Sequence, residues 1–197
     1  MSRSQQKTES RQRLVDAANY LFARKGLAST RTVDIARRAG LSHGGMFVHF
    51  ASRNELLAEI VGSMGRQITD QLHQLISEDA SLEQVLEAHL QCLAELEATY
   101  ATFLRESRLL PKDVLRSWVG VQSAISVHME QCVRTSIESG CVRRMPQHLL
   151  FNTWIGLVHH YLMNRELFAP GESVFARRGK ELIDHFLSLV CVENDSE

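Results

Sequence analysis

Ser42, His43, Gly44 and Gly45 stand in a row, bringing together a hydroxyl, an imidazole and two backbone positions without side chains. The set suits hydrogen bonding at short range: hydroxyl and imidazole reach phosphates or base edges, and glycines let backbone amides come close to them. Glycine costs roughly 1 kcal/mol per helical position relative to alanine, so two in succession at a helix start need a reason. Close approach of the backbone to a nucleic acid is one; tight packing of the turn is the other. His43 can donate to or accept from a base edge, whereas His49 lies further along, where a phosphate contact fits better. Thr32 and Arg53 begin two other helices, places where a hydroxyl or a cation beside unpaired amides suits an anion.

The elements that must position these residues are all helical. Apolar residues recur three and four apart over long segments, and the three prolines, Pro111, Pro146 and Pro170, fall between those segments. Residues 1–7 are polar and lack periodicity, which predicts a mobile arm. A first helix is expected over 9–25, with Leu14, Ala18, Leu21 and Phe22 on one face and Gly26 in a left-handed C-terminal position. Thr32 can cap a second helix whose Val33, Ile35, Ala36 and Ala39 face inward while Arg37 and Arg38 stay near solvent; Gly40 ends it and Leu41 pins the turn. Ser42 can cap a third helix reaching about residue 49, and Ser52-Arg53-Asn54-Glu55 is a capping box opening a fourth, long helix. Two short helices around a glycine-containing turn form the helix-turn-helix pattern.

Beyond it, Ser81-Leu82-Glu83-Gln84 is a further capping box, and Pro111 starts a helix of over twenty residues. The next helix is apolar over most of its circumference and must be buried on more than one side; with the broad apolar face of the final helix it points to a partner subunit. Phe151, Trp154, Ile155, Val158, Leu182, Phe186 and Val190 are the expected interface residues. The implied division is a helix-turn-helix domain over 1–52 and a helical effector-binding and dimerisation domain over 53–197.

Charge is divided in the same place. Residues 1–53 hold ten Lys/Arg against three acidic residues, a net +7, and the remainder holds twelve against twenty, a net −8. The asymmetry points to a polyanion partner for the first part and a different task for the rest, a solvated basic face being the plainer reading. The four cysteines are far apart, no run of apolar residues is long enough to span a bilayer, and the start does not resemble an export signal. These features predict a protein of the reducing cytoplasm without a membrane partner.

The run Leu14-x-x-Ala17-Ala18-x-x-Leu21-Phe22-x-x-x-Gly26, then Thr32-x-x-Ile35-Ala36-x-x-Ala39-Gly40-Leu41-Ser42-x-Gly44-x-Met46-Phe47-x-His49-Phe50-x-Ser52-Arg53-x-Glu55-Leu56-Leu57, resembles the TetR/AcrR family of bacterial transcriptional regulators. The resemblance implies a homodimer on a palindromic double-stranded DNA operator, with a small-molecule effector bound in the second domain and repression relieved by that inducer. It also implies that Ser42, His43 and Gly45 face the groove while Thr32, His49 and Arg53 hold phosphates. Family members usually have tyrosine where Phe47 stands, and often a base-reading side chain where Gly45 stands. Phe47 can offer ring contact only, which shifts weight onto DNA shape, His43, Arg37 and the N-terminal arm.

Candidate effector contacts are polar or aromatic groups on otherwise apolar helices: Tyr100, Arg105, Trp118, Gln122, His128 and His159, with His89 beside them. Tyr100 and Trp118 would suit a flat or apolar molecule and Arg105 an anionic group; a role in the core is the alternative for each. His89-x-x-Cys92 and His128-x-x-x-Cys132 each put a His and a Cys on one helical face, so a metal-responsive repressor is a second reading, and redox response through Cys141 or Cys191 a third. A helical interaction module that has lost DNA binding is a fourth. The chain contains no Gly-rich phosphate loop, nucleophile elbow or HExxH, so neither an enzyme nor a cofactor is expected.

Overall fold

The computed structural model describes residues 2–192 other than Glu78, and all side chains within them except those of Ala124, His128 and Gln131. Nine α-helices appear among the described residues: α1 (Arg3–Lys25), α2 (Thr32–Arg38), α3 (His43–Phe47), α4 (Arg53–Leu75), α5 (Leu82–Glu106), α6 (Lys112–Glu138), α7 (Gln147–Met163), α8 (Arg165–Phe168) and α9 (Val174–Val190). A 3-10 turn, Ser107–Leu109, follows α5, and an isolated antiparallel bridge pairs Val142 with Cys191. The all-α class is as expected.

Two expectations change. The first turns of α1 belong to a helix instead of an arm: the Ser2 hydroxyl accepts from the Gln5 amide at 3.2 Å, and the Gln5 side chain accepts from the Ser2 amide at 2.7 Å. A reciprocal cap of this kind needs no apolar periodicity, because these turns run through solvent. Gly26 ends α1, but at φ 81° and ψ 168°, outside the left-handed helical region and in one that only glycine occupies readily.

The chain forms two compact units. The first comprises Met1–Met64 and Ala98–Val121, so it runs past residue 52 and takes in the end of α5 and the start of α6. Its core is Leu14, Ala18 and Phe22 of α1, Ile35 and Ala36 of α2, Met46 and Phe50, and Leu56, Leu57 and Ile60 of α4, all buried. Phe22 meets Phe103 edge-on at 6.3 Å, and Trp118 lies 5.8 Å from Phe103 and 4.8 Å from Tyr100. Four rings thus tie α1 to α5 and α6, each such pair contributing about 0.5–1.5 kcal/mol beyond its buried area.

The second unit comprises Gly65–Glu97 and Gln122–Glu197. Trp154 of α7 donates its indole N–H to His89 Nδ1 at 2.9 Å and packs 5.2 Å from Phe186 of α9. Buried Glu97 serves the start of α9: its Oε1 accepts from the Val174 amide at 3.0 Å and its Oε2 from the Ser173 hydroxyl at 2.5 Å. A carboxylate at a helix start both satisfies an orphan amide and complements the helix dipole.

Candidate nucleic-acid interface

The turn between α2 and α3 is built by local rules. Gly40 takes φ 70°, the Leu41 amide donates to the Ala36 carbonyl at 2.9 Å, and the Ser42 hydroxyl caps α3 by accepting from the Gly45 amide at 3.0 Å. The two glycines separate into different roles. A Cβ on Gly45 would come within 3.0 Å of the capping Ser42 oxygen, so its place is set by the turn. A Cβ on Gly44 would meet nothing within 4 Å, and Gly44 is exposed. Its missing side chain leaves backbone accessible from outside the protein.

Thr32 lies at the first turn of α2 but does not cap it; Arg31 occupies the cap position with no side-chain bond. The Thr32 hydroxyl sits 3.0 Å from His43 Nε2 instead, and the His43 ring meets Phe47 edge-on at 5.2 Å. Three of the expected contact residues are therefore one surface cluster, with His43 and Phe47 exposed. Val48, 71% exposed, extends that surface with an apolar side chain suited to a thymine methyl. Sequence reasoning passed over it, although its position directly after Phe47 on the last turn was a usable signal.

His49 is held from behind. Arg11 donates to its carbonyl at 2.6 Å and to Glu59 Oε2 at 2.6 Å, with the guanidinium 4.1 Å from the Phe50 ring centre. The His49 Nδ1 is buried with no partner, and burial first, then the charges of Lys7, Arg11 and Arg13, lowers the pKa of the ring. A neutral imidazole beside cations from α1 is a site an anion would complete. Lys7 joins the candidate interface because α1 begins so early, and Arg13 joins it from the same helix. Arg37 is exposed and sits 3.5 Å from Asp34, and Arg38 lies over the Tyr20 ring at 3.3 Å.

Arg53 is placed differently from the others. It is half-buried, donates to the Leu27 carbonyl at 2.5 Å, and has burial lowering its pKa against the opposing charge of Glu106. Glu106 Oε2 in turn accepts from the Ala28 amide at 2.9 Å. Arg53 and Glu106 together clamp the turn joining α1 to α2.

The expected effector residues fall in both units, Tyr100, Arg105 and Trp118 in the first and Gln122 and His159 in the second. Tyr100 and Trp118 fill the first unit's core, Arg105 is exposed and donates to the Thr102 hydroxyl at 3.3 Å, and Gln122 is half-buried. His159 is mostly buried, and that burial pulls its pKa down to about 4. The side chain of His128 lies outside those described. As for the metal reading, His89 has its Nδ1 committed to Trp154 and is pushed down to about 3 by burial and by His159. Burial pushes Cys92 up to about 11, and the Cys132 thiol donates to the Ala80 carbonyl at 3.3 Å. No group of three or more His, Cys, Asp or Glu that could hold a metal ion occurs among the described residues.

Of the expected interface residues, Trp154, Ile155, Val158, Leu182, Phe186 and Val190 are buried within the chain itself and Phe151 is half-buried. The apolar side chains that α7 leaves exposed are Leu149 and Met163, and α9 leaves Leu189. No helix among the described residues is long and apolar enough to cross a membrane.

Residues 14–60 match the model of the bacterial regulatory proteins of the tetR family. An HTH-type transcriptional repressor of Mycobacterium tuberculosis is 35% identical over 81 residues, 41% of this chain and 43% of the relative, so the chain spans less than half the length of that relative. Similar solved structures cover far more of both chains. The transcriptional regulator FadR of Bacillus subtilis in complex with stearoyl-CoA has a TM-score of 0.76 at 17% identity, over 90% of this chain and 97% of that one. The ketosteroid transcriptional regulator KstR2 of Mycobacterium tuberculosis has a TM-score of 0.74 at 19% identity, over 93% and 95%. Residues 14–60 thus carry the helix-turn-helix signature of the tetR family of bacterial regulatory proteins, and the chain shares the fold of these two solved regulators.

Proposed function

We propose that the chain is a dimeric transcriptional repressor of the cytoplasm that binds a palindromic operator through residues 1–52 and is released by a small-molecule inducer bound within 53–197. The observation that carries this reading is the Ser42-capped α3, with Gly44 open to the outside and His43, Phe47 and Val48 exposed beside a strongly basic α1–α2 surface. A helix presented this way fits the major groove, and the surrounding cations supply the sequence-independent attraction to phosphates.

Two copies would meet along the outer face of α7, where Leu149, Thr153, Gly156, His160 and Met163 recur four, three, four and three apart and are all exposed. Nothing stands within 4 Å of a Cβ placed on Gly156, which leaves room for a neighbouring helix. The inducer would be largely apolar, as the stearoyl-CoA and ketosteroid regulators of the same fold suggest. Its signal has a short route: Phe103, Glu106 and Trp118 belong to the compact unit that holds α1–α3, so a shift at the end of α5 acts directly on Phe22 and on the turn after α1.

Binding to DNA upstream of the chain's own gene tests the reading. His43→Ala should weaken specific binding by about tenfold, the cost of one base contact, and Arg37→Ala should reduce the slope of log affinity against log salt by about one. Unchanged affinity and slope in both variants would remove the proposed contact surface.

A further inference from the structure

α3 ends on two large apolar side chains in succession, Phe47 at 43% exposed and Val48 at 71%. Such residues are ordinary on a surface one at a time; a pair at the tip of the element presented to a partner needs a reason. Neighbouring side chains are held where they leave the pair open. The His43 ring stands edge-on to Phe47 at 5.2 Å and is itself held by the Thr32 hydroxyl, 3.0 Å from Nε2. The backbone beneath is also fixed: the Val48 and His49 amides donate to the Gly45 and Met46 carbonyls at 3.3 and 3.0 Å, and Arg11 of α1 donates to the His49 carbonyl at 2.6 Å. The apolar step is therefore built into the turn before any partner arrives.

We propose that Val48, with the Phe47 ring beside it, reads thymine through its 5-methyl group, so that each half-site carries a thymine at the base pair facing the end of α3. The proposal rests on the reading of α3 as a major-groove helix. Along the major-groove edge of a base pair the thymine methyl is the one apolar group; the others donate or accept hydrogen bonds. Val48 against a purine N7 or a cytosine amino group would strand that polar group, whereas against a methyl it strands nothing. Neither side chain carries a donor for a phosphate, and the Val48 amide is already committed to Gly45, so the pair gives the DNA backbone no hydrogen bond. Charge decides between DNA and a second copy as the cover for this step: residues 1–53 carry a net +7, which repels another such segment and attracts a polyanion.

Replacing thymine by uracil removes this methyl and leaves every hydrogen-bonding group of the base pair in place, so it tests the proposal directly. Duplexes that the full chain selects from a random pool are remade with uracil for thymine, and both sets are titrated by anisotropy. The parent should bind the uracil duplexes about tenfold more weakly, roughly three- to fourfold for each of two buried methyls. Val48→Ala should reduce that penalty to about twofold or less and Val48→Ile should keep it. Neither should change the slope of log affinity against log salt, because no charge is altered. Val48 is exposed, so unfolding midpoints should match the parent's. Equal binding of thymine and uracil duplexes by the parent would overturn the proposal and leave the DNA-binding reading standing, the apolar pair then lying against deoxyribose. The same uracil penalty in the parent and in folded Val48→Ala would also overturn it, and failure to select any duplex would overturn it together with the DNA-binding reading.

Discussion

Histidines in two different environments give opposite pH signatures. His49 has its pKa lowered in the free protein by burial and by Lys7, Arg11 and Arg13. A phosphate placed against it would raise that value, so DNA binding would take up a proton and affinity should increase as the pH falls from the bound-state pKa toward the free-state one. His49→Gln should flatten this dependence between about pH 8 and 5.5 in an anisotropy titration; an identical slope in the variant would take His49 off the interface. His89 and His159 instead affect the fold. Their folded-state values, about 3 and about 4, lie below 6.5, so the unfolded chain takes up protons first as the pH drops. Stability should be full above about pH 6.5 and decline toward pH 4, by a few kcal/mol for the two together. Chemical unfolding of His159→Gln should show a shallower decline than the parent, and parallel curves would refute the assignment.

At the level of elements, the informative contact is the clamp on the turn after α1. Gly26 holds a glycine-only conformation, and a Cβ on it would overlap Glu106 Oε1. Gly26→Ala should therefore cost about 2–3 kcal/mol, part from the backbone and part from the collision. Glu106→Ala should cost about 0.5–1 kcal/mol, because water replaces the carboxylate at the exposed Ala28 amide. Together they should cost less than their sum by about 1 kcal/mol, because the collision disappears with the carboxylate; strict additivity in urea unfolding would contradict the geometry. This clamp also marks the limit of what could be read from sequence. Ser42, Ser52 and Ser81 announced their helices because a cap acts over three residues, and all three hydroxyls accept the expected amide. The Leu27 carbonyl that holds Arg53 is 26 residues away, and Ala28 is 78 residues from Glu106. No local pattern encodes such pairs, so Arg53 read as a free cation at a helix start. For the same reason periodicity marked Trp154, Val158 and Phe186 as buried without saying whether this chain or a second copy buries them.

For the molecule as a whole, charge and symmetry act together. A net +7 over residues 1–53 attracts any duplex, but one copy would hold only one half-site, and specificity for a palindrome requires both copies at fixed spacing. The proposed pairing face makes this separable from folding. Gly156 is exposed on α7 and faces open space, so Gly156→Trp should leave helix content and unfolding midpoint unchanged while blocking close approach of a second α7. Sedimentation at micromolar concentration should then show monomers. Operator affinity should fall by about 10²-fold or more, because the second half-site contact would no longer be intramolecular, while nonspecific binding at low salt should weaken far less. A variant that remains dimeric with undiminished operator affinity would move the pairing surface off the outer face of α7.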